Sequence, residues 1–172
     1  MIFEEGHLRV SLEVDSPEAH FDSKARARAE TPAKVVSEQG PRRALVEVHR
    51  RVGGLPQRAV VGGMKSTTGS GYLVVEAGLS GESVAGEDRK YPGVFGRELS
   101  PGIPSEFAAS VLRGLLTMRG CAGLVEVDCG AFDVVESSGA AFELAATILA
   151  VALEHDPLEA FEAVRQKVKQ LA

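Results

Sequence analysis

The sequence contains no tryptophan, and only seven Phe and two Tyr in 172 residues, so its core must be built mainly from Val, Leu, Ala and Ile. Cysteine is equally scarce. Cys121 and Cys129 are too few for a disulfide framework or a zinc knuckle, and both are expected to be reduced and buried as small apolar residues. Long apolar runs are missing too: the longest, Ala140 to Leu153, is interrupted by Glu143 and falls short of the ~20 residues that span a bilayer. The opening MIFEEGHLRV is acidic, without a basic region leading into an apolar one, and does not read as a signal peptide. The expectation is a soluble, cytoplasmic protein with no membrane contact.

The rest of the composition is that of a folded chain, 44% hydrophobic and 25% charged. A chain of this length buries roughly 70% of its unfolded surface without metals or disulfides. Nineteen glycines and eight prolines favour a sheet-containing fold over a helical bundle. Charge is uneven: residues 1–23 carry −5, residues 24–70 carry +7 and residues 71–172 carry −7. A basic segment on an acidic body permits a local anion contact and argues against general coating of nucleic acid.

Alternation at period two marks Leu8–Val14 and Ala44–Val52 as half-buried strands. Gly53-Gly54-Leu55-Pro56-Gln57 reads as the turn of a β-hairpin returning through Arg58–Val61. Short strands are expected at Lys34–Ser37, before the turn Glu38-Gln39-Gly40-Pro41, and at Gly71–Ala77. Residues 15–31 give no clear pattern. Residues 78–102 form a long excursion with one expected strand near Val94–Leu99.

Three helices follow. Pro104-Ser105 opens the first, with Phe107, Ala108, Val111, Leu112, Leu115 and Leu116 on one face and Gly120 and Gly123 as its end. Val125, Val127 and Cys129 then alternate with Glu126 and Asp128 as a strand. Ser137 or Ser138 can cap a second helix, whose face of Ala141, Phe142, Ala145, Ala146, Leu149 and Leu153 is too broad for an exposed element. Asp156-Pro157-Leu158-Glu159 starts the third, an amphipathic helix lined by Leu158, Phe161, Val164, Val168 and Leu171.

The sequence carries few signs of catalytic chemistry. The cluster Gly62-Gly63-Met64-Lys65-Ser66-Thr67 lacks the Walker order leading into a helix, so no nucleotide is expected. The serines at 137 and 138 are not in a nucleophile elbow. His7, His20, His49 and His155 are scattered without metal-ligand spacing. No nucleophile, base and oxyanion site assembles, so neither catalysis nor a cofactor is expected.

Two motifs carry a resemblance. Gly102-Ile103-Pro104, Glu106-Phe107, Val111 and Gly114-Leu115 stand in the order and spacing of the helix entry in domain IV of elongation factor G. Gly130 to Phe142 is similar, without gaps, to that family's second entry, including Ser137-Ser138 and Ala141-Phe142. His49 to Gln57 resembles its glycine hairpin, Gly69-Ser70-Gly71-Tyr72 its later Gly-Ala-Gly-Phe, and Gly6–Val14 the strand closing the preceding domain. The likeness spans residues 33–154, leaving 1–32 as an N-terminal strand and extension and 155–172 as a C-terminal amphipathic helix, all in one compact unit.

The resemblance implies an α+β fold like the second domain of ribosomal protein S5, with a mixed sheet packed on two helices and a left-handed β-α-β crossover, against the usual hand. It also implies a role at the ribosome, where the family's loop tips contact messenger and transfer RNA. Together with the basic segment, it singles out Arg50, Arg51, Gly53, Gly54, Gln57, Arg58, Lys65 and Asp133 as the RNA- or partner-binding set. Departures from the family matter as much. The sequence holds no GTPase domain, Asp133 stands where the family has a tip histidine, and Leu55 replaces a basic residue after Gly-Gly. The stretch between the helix motifs is about nine residues shorter than the family's, the 78–102 excursion is longer, and the 156–171 helix stands where another domain normally follows. Two readings follow: an accessory factor bound to the ribosome or its rRNA or tRNA, or an interaction or structural module with a separate protein partner or a second copy of itself.

Overall fold

The computed structural model describes all residues except Pro17, Lys34, 37–39, 82–89 and 119–120, and only the backbone of Val35, Val36 and Cys121. Among the described residues nine strands and three α-helices follow one another: β1 (Ile2–Glu5), β2 (Leu8–Val14), β3 (Ala25–Pro32), β4 (Val35–Val36), β5 (Arg42–Val52), β6 (Leu55–Ser66), β7 (Tyr72–Leu79), β8 (Ser100–Pro101), α1 (Ala108–Leu115), β9 (Cys121–Phe132), α2 (Gly139–Glu154) and α3 (Pro157–Leu171), with a 3-10 turn at Ser105–Phe107 leading into α1. The main sheet runs β1-β2-β5-β6-β9-β7-β3, with β4 and β8 each paired to β9. Pairing is antiparallel except where β7 and β4 lie parallel to β9. The parallel neighbours β7 and β9 need a crossover, and the segment that contains α1 supplies it.

One face of the sheet carries the main core. Val10 and Leu12 of β2, Ala44, Val46 and Val48 of β5, Ala59 and Val61 of β6 and Val75 of β7 pack there against Phe142, Ala145, Ile148 and Leu149 of α2. Each such side chain withdrawn from water contributes about 1.5–3 kcal/mol. Helix α1 lies over the β7–β3 side, α2 over β5 and β6, and α3 over β1 and β2. Ser138 caps α2 by accepting from Ala141 N, and Asp156 caps α3 by accepting from Leu158 N and Glu159 N.

The two motifs behind the resemblance meet in this core. Phe107 stacks on Phe142 at 4.8 Å between ring centroids. Gly114 lies so close to α2 that a Cβ there would meet Glu143 O at 2.5 Å and Ala146 Cβ at 2.6 Å. Gly102 N donates to Gly130 O at 2.8 Å. These residues set how the helices dock.

The opposite face is covered differently. Leu45, Val60, Cys129 and Ala131 form a small second cluster with Tyr91 and Leu99 from the excursion. Between those last two residues the chain is a loop, contrary to the expected strand at Val94–Leu99: Tyr91 and Leu99 exchange backbone hydrogen bonds at 2.8 and 2.9 Å, and only Ser100–Pro101 reaches the sheet as β8. The reason lies in Glu47, whose carboxylate accepts from Val94 N at 2.6 Å and Phe95 N at 3.3 Å, taking donors that a ladder would use. Arg9 adds a guanidinium 4.6 Å above the Phe95 ring. Residues 91–99 thus form a strap over β5 and β6.

Four further expectations change. The 15–31 region contains β3, which pairs with β7 along its whole length. Helix α1 ends at Leu115, before Gly123, which lies inside β9, while Gly120 lies outside the described residues. The hairpin turn is two residues, Gly53-Gly54, so β6 begins at Leu55 and not at Arg58. Finally, Val127 and Cys129 do not share a face. The β6–β9 register slips between Gly62 and Gly63, which pair with Cys129 and Val127 and leave Asp128 as an extra residue. This bulge sends Val127 to the helix side and Cys129 to the outer cluster. The expected strand at Lys34–Ser37 is present as Val35–Val36, its ends lying outside the described residues.

Candidate binding surface

Two loops far apart in sequence meet at one end of the sheet. The first is the β5–β6 hairpin, where Arg50 pairs with Gln57, Arg51 with Pro56 and Val52 with Leu55. Gly53 and Gly54 turn the chain with φ of +58° and +83°, the double left-handed conformation of a type I′ turn. The second is the loop Asp133–Glu136 that follows β9. Arg58 N donates to Glu136 O at 2.9 Å, and Ser137 Oγ donates to Arg58 O at 2.7 Å. The two serines therefore divide their work: Ser137 fastens the loop to β6, and Ser138 caps α2.

Asp133 shapes this loop from within. Its Oδ1 accepts from Val135 N at 2.7 Å and Glu136 N at 2.9 Å, while its own N–H donates to Ser137 Oγ. That is an Asx turn, so one carboxylate oxygen is engaged by the loop's own backbone and fixes the loop's shape. What the tip exposes is largely apolar: Leu55 is 71% and Val135 is 89% exposed, with Val52 and Val134 beside them in sequence and also exposed. Sequence reading missed the two valines, whose only signal was an apolar pair in an otherwise polar loop.

The basic members of the expected set separate sharply. Arg51 is exposed and Arg50 half-buried, and among the described residues neither enters an ion pair. Gly53 and Gly54 are exposed, and Gln57 is half-buried. Arg58 is 1% exposed: its Nε and Nη2 donate to Glu47 Oε1 at 3.0 and 2.7 Å, and its Nη1 donates to Arg97 O at 2.8 Å. Lys65 is also buried, on β6 away from the tip. Both side chains are withdrawn from solvent, Arg58 beneath the strap and Lys65 with its Cε beside Gly123. They are corrected from surface residues to interior ones.

Three other cations of the +7 segment are answered internally. Arg26 and Arg28 lie 3.3 and 3.1 Å from Glu76, and Arg43 binds Asp128 with both nitrogens, at 2.8 and 2.7 Å. Burial pushes the Asp128 carboxyl up, but the Arg43 fork outweighs it and holds the group below its usual range. His49, close to the strap, is held below its usual range by burial and then by the nearby Arg58 and Arg9 cations, so it is neutral at pH 7.

One group among the described residues has the chemistry of a metal site. Ligand atoms of His20, Asp128 and Cys129 lie within 4.8 Å of one another. The Arg43 guanidinium already engages two of the three, at 2.7 and 2.8 Å from Asp128 and 3.5 Å from Cys129 Sγ. Burial pushes the Cys129 thiol up to about 12. A metal would have to displace the fork and ionise that thiol, so the donor set does not fit one.

No protein-family model, curated protein or solved structure matches this chain. Among the described residues no helix is long and apolar enough to cross a membrane.

Proposed function

We propose that this chain is a non-catalytic binding module of the elongation factor G domain IV type, which engages a protein partner through the tip built by residues 50–57 and 133–136. The convergence of these two loops carries the reading, because the resemblance assigns contact to the Gly53–Arg58 turn and the Gly130–Glu136 loop, and Ser137 fastens the second loop to Arg58 at the end of the first. The parallel β7-α1-β9 unit agrees with the S5-like fold proposed for the chain, in which this crossover is left-handed. The chemistry of the tip favours protein over nucleic acid. Val52 and Leu55, paired on the hairpin that also carries Arg50 and Arg51, and Val134 and Val135 on the second loop are exposed, a set that fits an apolar surface with an acidic rim.

The translation reading keeps one observation in its favour: Arg50 and Arg51 belong to the basic segment, sit at the tip and have no ion-pair partner among the described residues. Co-sedimentation with ribosomes and their subunits across a salt series separates the two. The protein-partner reading expects no ribosome binding even at low salt. Binding that falls steeply with salt and is lost in R50E/R51E would replace it with the ribosomal one.

A further inference from the structure

The two edges of the main sheet are built differently. Edge strand β3 carries Arg26, Arg28 and Glu30 in alternation and ends in Pro32, charges and a proline that discourage further pairing. Edge strand β1 borders a groove of about 610 Å³ against α3, lined by Met1, Ile2, Phe3, Leu158, Phe161 and Val168. Met1, Ile2 and Leu158 are exposed, Leu158 at 86%. Glu4 and Glu5 stand on the strand side of this groove, and Glu162, Arg165 and Lys169 on the helix side; Glu4 is paired with Arg9 at 2.7 Å, and Arg165 lies 3.8 Å from Glu162.

Backbone geometry shows which groups the open edge offers. Met1 exchanges both main-chain bonds with Leu12 of β2, at 2.7 and 2.8 Å. In an antiparallel ladder bonded pairs alternate with unbonded ones, so Phe3 and Glu5 also bond to β2. Ile2 and Glu4 direct their N–H and C=O groups away from the sheet.

We propose that this edge and groove bind a second copy of the chain, by antiparallel pairing of β1 with β1 about a two-fold axis at Phe3. In that register Ile2 of each copy stands opposite Glu4 of the other, and all four outward groups on each strand are satisfied. Met1 then stands opposite Glu5, so no two carboxylates face each other directly across the new pair. The Glu5 carboxylate of each copy is carried toward the other copy's groove, whose helix side holds Lys169 beside the Glu162–Arg165 pair, and the apolar groove residues are covered on both sides of the axis. The arrangement is isologous and closes at two.

Sedimentation of the full chain over a concentration series tests this. The expected species has twice the 18.1 kDa chain mass. Glu4→Pro removes an outward donor without touching the β1–β2 bonds, and Leu158→Lys puts a charge into the groove from a fully exposed position. Each variant should weaken the dimer at least tenfold with an unchanged circular dichroism spectrum, and Leu55→Asp at the tip should leave the mass unaltered. A wild-type chain that stays monomeric up to about 1 mM, as it would if the groove takes a strand from another protein, overturns the proposal. So does a dimer that survives both β1–α3 substitutions.

Discussion

The Glu47–Arg58 pair makes a prediction whose sign is unusual. Both side chains are almost wholly buried, and each Glu47 oxygen also holds backbone of the strap. Glu47→Leu leaves a buried guanidinium with only Arg97 O as acceptor, and Arg58→Met leaves a buried carboxylate with two backbone donors. Removing one partner of such a pair costs about 3–5 kcal/mol, a large part of the ~5–15 kcal/mol that holds a domain together. The double variant E47L/R58M strands no charge. It loses acceptors for Val94 N, on a residue 39% exposed that water can reach, and for Phe95 N, so one donor is left buried and unsatisfied, at about 1–3 kcal/mol. The double variant is therefore expected to be more stable than either single one. In urea, with a slope near 2 kcal/mol per molar, each single substitution should lower the midpoint by about 2 M and the double one by about half that. Single losses under about 1 kcal/mol, or a double variant as damaged as the sum of the two, would refute the reasoning.

Three further outcomes are expected. Gly114→Ala improves helix propensity by about 1 kcal/mol but drives a Cβ into α2, and should lower stability by a net ~1–2 kcal/mol, read by urea titration. Asp133→Ala removes acceptors for Val135 N and Glu136 N and should cost about 1–2 kcal/mol while raising protease cleavage in the 133–136 loop, with Asp133→Asn largely sparing both. Because burial raises the Cys129 thiol to about 12, the folded state holds that proton longer than the unfolded chain. Cys129 therefore contributes stability below about pH 8.5 that is lost as pH rises toward 12, and Cys129→Ala should flatten that alkaline decline in a pH series of urea midpoints.

How much of this was legible in the sequence depended on whether a segment's own pattern decided its environment. β2, β5 and α2 were readable because one face of each is apolar at the right period, and the caps because capping is local, Asp156 outright and Ser138 as one of two adjacent serines. Strand β3 was not, since Ala-Arg-Ala-Arg-Ala-Glu has no strong apolar face and is held by pairing with β7. The bulge at Asp128 was invisible for a similar reason: it follows from how β9 fits the glycines of β6. Among the candidate residues the decisive failure was Arg58. Its place on the face opposite the helices reads as solvent, and only the strap from residues 91–99, far along the chain, makes it interior. Asp133 looked like an anion offered to a partner because its backbone partners depend on a loop conformation that composition does not reveal.

The tip assignment is tested most directly by placing a photo-crosslinking amino acid at Leu55, with the same residue at exposed Arg28 on the far edge as control. Irradiation in cells should give a discrete protein adduct from position 55 that is absent from position 28 and lost when Val135→Asp is added. An RNA adduct from position 55, or no adduct above the control, would contradict the account.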